Sequence, residues 1–95
     1  GYSLALYRML KEAGISARII RGRANGEEGL HAWNIAELDG IYYNLDATWD
    51  AGKENYEYFL KGAEDFSDHI PREEFISDEF RLKYPIAKKS VDWRE

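Results

Sequence analysis

Residues 30–46, LHAWNIAELDGIYYNLD, predict two β-strands joined by a tight turn. Asp39-Gly40 is a strong two-residue hairpin signal, because both central positions of such a turn need a positive φ angle. We therefore expect two antiparallel strands over Leu30–Leu38 and Ile41–Asp46.

The predicted register brings an imidazole beside a carboxylate. If Leu38 faces Ile41 across the turn, then Trp33 faces Asp46, and His31 lies on the same face as a diagonal neighbour of Asp46. Diagonal neighbours are about 7–8 Å apart, within reach of long side chains. Such a pair is the base and orienting half of a nucleophilic triad. The chain contains no cysteine, so a thiol nucleophile is missing from it.

Length and charge restrict the possible functions. The 95 residues form one small domain, 1–95, with 13 basic and 18 acidic side chains and a net charge of −5. The chain has no basic patch of the kind that binds nucleic acid and no apolar run long enough to cross a membrane. We therefore expect neither a nucleic-acid partner nor a membrane span. The absence of cysteine also excludes disulfides and thiolate metal sites within this stretch.

A helix and a further strand precede the hairpin. Tyr2–Ala13 carries apolar residues on most sides, which predicts a helix buried at the centre of the domain. Gly14 suits its C-terminal cap, and Ile15–Ala24 predicts a strand. The fold expected is α+β, with a central N-terminal helix packed on a small antiparallel sheet.

The pattern weakens after Asp50. Ser77–Tyr84 is ambiguous, and Val91 with Trp93 suggests an edge strand. Asn55–Leu60 predicts a short helical turn, and Phe66–His69 predicts a loop. Pro71–Phe75 predicts a short helix, and Pro85–Ala87 predicts an extended stretch.

Five short motifs that follow one another along the chain resemble the transglutaminase-like family. The resemblance covers Gly1–Leu60 well, and Tyr58-Phe59-Leu60 and Asp65–His69 are similar to the continuation in bacterial surface members. The motifs are Gly1-Tyr2-Ser3, Glu12-Ala13-Gly14-Ile15, His31-Ala32-Trp33-Asn34, Leu38-Asp39-Gly40 and Tyr43–Asp50.

The resemblance implies a papain-like core with a Cys-His-Asp triad. His31 matches the catalytic histidine of the family and Asp46 its catalytic aspartate. The family's cysteine opens the central helix in a pattern like Cys-x-Gly-Tyr, whose last two positions match Gly1-Tyr2. The cysteine would thus fall two residues before Gly1. We expect this chain to be a fragment that lacks the nucleophile, through its boundary or through loss in the parent protein.

Thioester chemistry on protein or peptide carboxamides is the activity that the resemblance implies. The helix dipole favours a thiolate at a helix N-terminus, and Asp46 would orient the imidazole. The thioester formed on the cysteine is then resolved by an amine or by water. No cofactor is implied. Bacterial members are often exported, so an extracellular or cell-surface parent is expected.

A non-catalytic binding or scaffold module is the alternative function. Some transglutaminase-like domains keep the fold and lose the triad, and an aromatic groove would then hold a peptide or a cell-wall fragment. Trp33 and Trp49 are the candidate substrate-binding residues. Trp33 either walls this groove or packs in the core, and Trp49 also suits a core or loop-anchor position.

Simpler structural roles compete for the remaining polar residues. Asp46 at a strand end also suits an Asx-type cap of the following turn. Asp50 suits a cap of Ala51-Gly52 better than cation binding. His69 with Asp65 and Asp68 offers too few ligands for a metal site, so no metal is expected.

Overall fold

Four antiparallel strands form a curled sheet with helical segments against both of its faces. The computed structural model describes residues 2–51 and 57–92. Within these ranges the sheet order is β3-β2-β1-β4, and the fold is α+β. The helices and strands are α1 (Tyr2–Glu12), β1 (Ala17–Ala24), β2 (His31–Leu38), β3 (Ile41–Leu45), α2 (Ala47–Asp50), β4 (His69–Pro71) and α3 (Asp78–Lys83), with 3₁₀ turns over Ala63–Asp65 and Glu73–Phe75.

The hairpin of β2 and β3 confirms the predicted register. Leu38 pairs with Ile41, and the pairing runs to Asn34 opposite Leu45. The two turn residues, Asp39 and Gly40, have φ angles of 55° and 88°. These positive values match the type I′ turn that this dipeptide favours.

Helix α1 covers one face of the sheet and is not buried at the centre of the domain. One of its stripes (Leu6, Tyr7 and Leu10) packs against a cluster of buried alanine and leucine side chains from the sheet. On its outer side, Met9 is 65% exposed and Tyr2 is 58% exposed. The prediction of a helix buried at the centre of the domain was wrong, because the sheet covers only one side of α1 and leaves apolar residues on its outer side exposed.

The opposite face of the sheet carries the aromatic core. Because side chains alternate along a strand, Trp33 and Ile35 lie on one face of β2 while Asn34 and Ala36 lie on the face that α1 covers. Trp33 and Ile35 form a buried cluster with Ile20, Tyr42 and Phe66, and partly buried rings from the C-terminal segments pack against it: Phe75, Phe80 and Tyr84.

Strand β4 lies where a loop and the start of a helix were predicted. His69–Pro71 pairs antiparallel with Gly22–Ala24, and Pro71 ends this strand. The predicted helix shrinks to the 3₁₀ turn that begins at Glu73. A strand of three residues is too short to show alternation, and proline is tolerated because β4 is an edge strand.

The other C-terminal predictions have mixed outcomes. Pro85–Ala87 is extended and bonds to both backbone groups of Tyr42 at 2.7 and 2.9 Å, as predicted. The ambiguous segment forms α3, capped by Ser77. Part of Asn55–Leu60 lies outside the described residues, as does Trp93.

Gly22 allows β4 to approach β1, and we expect Gly22→Ala to separate these strands. A Cβ atom at position 22 would collide with the carbonyl oxygen of Ile70 and lie 2.8 Å from the Cα of Pro71. Because both neighbours are backbone, the loss in the free energy of unfolding should be about 2–4 kcal/mol, measured by urea denaturation.

The matched control is Arg21→Ala, an exposed position on the same strand. It should change the free energy of unfolding by less than about 0.5 kcal/mol. Equal stability of Gly22→Ala and the parent chain would contradict the close β1–β4 approach.

Candidate functional site

One carboxylate, that of Asp46, lies between the two histidines of the chain. His31 opens β2, His69 opens β4 and Asp46 directly follows β3, so three strand ends meet at this point. The Oδ2 atom of Asp46 lies 2.6 Å from Nε2 of His31 and 2.7 Å from Nε2 of His69. The structure thus brings His31 and Asp46 together, as the register predicts. Their catalytic roles stay predictions.

The second oxygen of Asp46 has a structural role. Its Oδ1 atom accepts the backbone N–H of Trp49 at 3.0 Å and so caps the short helix α2. The capping interpretation of Asp46 is therefore confirmed on one oxygen, while the other oxygen contacts both imidazoles and its orienting role stays a prediction. This arrangement fixes the plane of the carboxylate relative to both imidazoles.

The neighbours of His69 differ from those that the sequence predicted. It was grouped with Asp65 and Asp68, but Asp65 instead accepts a hydrogen bond from Ser90. Asp68 does contact it, since Oδ1 of Asp68 lies 2.8 Å from Nδ1 of His69. The contact with Asp46 depends on the pairing of β4 with β1, for which the local sequence carries no clear signal.

The two ring nitrogens of His69 both face carboxylate oxygens. An ionised carboxylate accepts hydrogen bonds but cannot donate them. Each nitrogen that carries a proton can therefore donate to the carboxylate oxygen that it faces. These contacts compensate for burying the side chains of Asp46 and His69, which are both 0% exposed.

The hydrogen bonds around Asp46 control its ionisation. Burial by itself would raise the pKa of this carboxyl group, but hydrogen bonds from His69, His31 and the Trp49 N–H, together with the charge of His31, lower it. The pKa of Asp46 therefore lies below its ordinary value. The carboxylate stays ionised at neutral pH although it is buried.

Aromatic rings surround the site. The Phe66 ring stacks on His69 with a centroid distance of 3.9 Å, and the Trp49 ring lies 4.5 Å from His69 and 5.7 Å from His31. Trp33 is only 1% exposed and packs in the core, which was one of its two interpretations. Trp49 is half-buried, and its Nε1–H donates to Glu27 at 3.0 Å. Substrate-binding roles for the two tryptophans stay predictions.

A network of hydrogen bonds continues outward from His69. The hydroxyl of Tyr58 donates to Oδ2 of Asp68 at 3.1 Å, and the backbone N–H of Tyr58 donates to Asp50 at 3.1 Å. Burial and the hydrogen bond to Asp68 raise the pKa of Tyr58. Asp50 therefore accepts the backbone N–H of Tyr58, while the predicted cap of Ala51-Gly52 extends outside the described residues.

The first turn of α1 reaches the end of the sheet where Asp46 lies. The Nδ2 atom of Asn34 donates to the carbonyl oxygen of Ser3 at 3.0 Å. Tyr2 and Asp46 also line a common cavity of about 500 Å³. The start of the helix and Asp46 thus line one cavity at the end of the sheet, whereas His31 shares the face of Trp33, opposite to the face that α1 covers; Gly1 itself lies outside the described residues.

Comparison with known proteins returns no match to a family model, a curated protein or a solved structure. The assignment to the transglutaminase-like family therefore stays a prediction. The longest helix of the described ranges has 11 residues, and none has the length and apolar character needed to cross a bilayer.

Asp46→Asn should lower stability in a pH-dependent manner. The substitution leaves two imidazoles without their carboxylate, so we expect a loss of about 3–5 kcal/mol near neutral pH. Because the folded-state pKa is lowered, the stabilisation by Asp46 is full above the unfolded pKa of about 3.9 and is lost as the pH falls through the folded value. Urea unfolding from neutral pH into the acidic range measures both effects.

Asp39→Asn is the matched control, since Asp39 is exposed in the hairpin turn and asparagine suits its positive φ angle. It should preserve both the stability and its acid dependence. The free energy of unfolding of Asp46→Asn is compared with that of the parent chain at each pH. If the difference stays constant through the acidic range, it contradicts a lowered pKa for Asp46.

Proposed function

We propose that this chain carries the histidine and aspartate of a transglutaminase-like cysteine acyltransferase or protease with a papain-like core. The observation that carries the proposal is the 2.6 Å contact between Nε2 of His31 and Oδ2 of Asp46. It is supported by the first turn of α1, since Tyr2 lines the same cavity as Asp46 at the end of the sheet. In the family the catalytic cysteine occupies the start of such a helix.

The orientation of His31 agrees with this role. Asp46 engages Nε2, and in the described part of the chain no hydrogen-bond partner of Nδ1 occurs. Nδ1 is therefore the nitrogen that is available to exchange a proton with a thiol. Asp46 fixes the ring and stabilises its charged form, which is the task of the third member of a triad.

The reaction follows from these positions. A thiolate two residues before Gly1 would attack the carbonyl carbon of a protein or peptide carboxamide. The carbon–nitrogen bond then breaks, and the leaving amine takes its proton from the His31 imidazolium, which leaves a thioester. An incoming amine or water loses a proton to His31 as it attacks, and the cysteine is released with an amide or an acid as product. An extracellular or cell-surface location is part of the same proposal, by resemblance alone.

A binding module is the second candidate, and one cavity favours it. A cavity of about 570 Å³ lies among aromatic and aliphatic side chains that include Trp33, Phe66 and Phe80. The Nε1 atom of Trp33 is buried with no hydrogen-bond partner in the described ranges. Pockets of this size, with few polar groups, suit small ligands or short side chains of a peptide.

The residue encoded two positions before Gly1 decides between these functions. If it is cysteine, the protein as encoded should react with iodoacetamide at mildly acidic pH and incorporate a fluorescent primary amine into a glutamine-containing protein. His31→Gln should slow amine incorporation by about 10²–10⁴-fold, and Asp46→Asn should also slow it. The present 95 residues alone should be inactive, because they hold no thiol.

Glu64→Gln is the control, since this exposed side chain lies in the 3₁₀ turn over Ala63–Asp65. It should leave the rate unchanged. Any residue other than cysteine at the upstream position, or amine incorporation that survives His31→Gln, would overturn the enzymatic proposal. Saturable binding of a short peptide to the protein without cysteine would then support the binding module.

A further inference from the structure

We propose that His31, His69 and Asp46 form a binding site for a divalent transition metal ion such as Zn²⁺. Two Nε2 atoms and one carboxylate oxygen converge here, and all three lie within 4.8 Å of one another. Imidazole nitrogen and carboxylate oxygen are common zinc ligands, and three protein ligands with an open fourth position are typical of zinc sites that retain a water. The inference does not depend on a thiol and goes beyond the proposed function.

The outer contacts of the ligands are a second, independent observation. His69 has its Nδ1 atom 2.8 Å from Oδ1 of Asp68, and Asp68 is in turn held by the hydroxyl of Tyr58 at 3.1 Å. A carboxylate on the distal nitrogen is the usual second contact of a metal-binding histidine, because it fixes the ring and keeps the proton on that nitrogen. Asp46 is likewise fixed through its other oxygen by Trp49.

A modest adjustment accommodates the ion. The present Nε2–Oδ2 separations of 2.6 and 2.7 Å are hydrogen-bond lengths. Tetrahedral zinc with bonds of about 2.0–2.1 Å separates its ligand atoms by about 3.3 Å. Each Nε2–Oδ2 separation must therefore lengthen by about 0.6 Å, and the two Nε2 atoms, which lie within 4.8 Å of each other, must also come to about 3.3 Å apart. The ion replaces the Nε2 protons, which leave to solvent, so binding releases protons.

Of the three ligand side chains, that of His31 is the one that reaches solvent in the part of the chain that the structure describes. The side chains of Asp46 and His69 are fully buried, whereas that of His31 is 10% exposed. Trp49 lies over both imidazoles and is itself half-buried. The fourth ligand, a water molecule, is expected on the His31 side.

The composition of the chain makes the proposal sharply testable. The 95 residues contain two histidines and no cysteine. A metal ion that prefers nitrogen or sulfur ligands therefore finds no imidazole or thiolate in these 95 residues outside the proposed site. Removal of one histidine leaves a single imidazole, so no site with two nitrogen ligands remains in these 95 residues.

The experiment is calorimetric titration of the 95-residue chain with Zn²⁺ at neutral pH, repeated with Co²⁺ to record its visible spectrum. We expect one equivalent bound, proton release, and the intense visible bands of four-coordinate Co²⁺. His69→Gln should abolish binding, and Asp68→Asn should weaken it by about 10–100-fold because it removes the outer contact. Glu64→Gln should bind as the parent chain does.

A second measurement does not depend on folding of the buried variants. In the parent chain, Zn²⁺ should shift the Nε2 resonances of both histidines in nitrogen NMR spectra and leave both Nδ1 atoms protonated. Absence of binding at millimolar Zn²⁺, shifts confined to one histidine, or affinity unchanged in a folded His69→Gln variant would each overturn the proposal.

Discussion

The buried carboxylate of Asp46 is the group on which the geometry of this end of the domain depends. Its two oxygens interact with three nitrogen groups: the imidazoles of His31 and His69 and the backbone N–H of Trp49. Those groups belong to β2, β4 and α2, while Asp46 itself directly follows β3. One side chain therefore connects the ends of β2, β3 and β4, including the two edge strands, which are not neighbours in the sheet order β3-β2-β1-β4.

The cost of burying this charge explains why so many polar groups gather around it. A buried ionised carboxylate is unfavourable unless it is paired and its lone pairs are satisfied. Nε2 of His69 lies 2.7 Å from this carboxylate, and Asp68 contacts the distal nitrogen of the same ring. The aromatic rings of Phe66 and Trp49 exclude water from His69. In such surroundings each hydrogen bond is electrostatically stronger than in water, and each missing one is more costly.

The sequence predicted those features that local rules determine. The Asp39-Gly40 turn sets the register of the hairpin, and period-two alternation then brings His31 to Asp46. The spacing of apolar residues predicted α1. It could not show which side of this helix the sheet would cover, since that depends on the area of sheet available. His69 reaches the site because Gly22 lets Ile70 and Pro71 approach β1, a contact between segments far apart in the chain. No local pattern encodes such a pairing, and β4 is too short to show one.

The two proposed uses of the site compete for the same atom. In the triad, Nε2 of His31 keeps its proton and donates it to Asp46, which leaves Nδ1 to serve the thiol. In the metal site, Nε2 of His31 loses that proton and its lone pair binds the ion, while Nδ1 carries the remaining proton and cannot act as a base. Zinc binding would therefore switch off proton transfer at His31 even without contact between the ion and a thiol. His69 separates the two states, because the triad needs it only as a hydrogen-bond donor to Asp46, whereas the metal site needs the lone pair of its Nε2 atom.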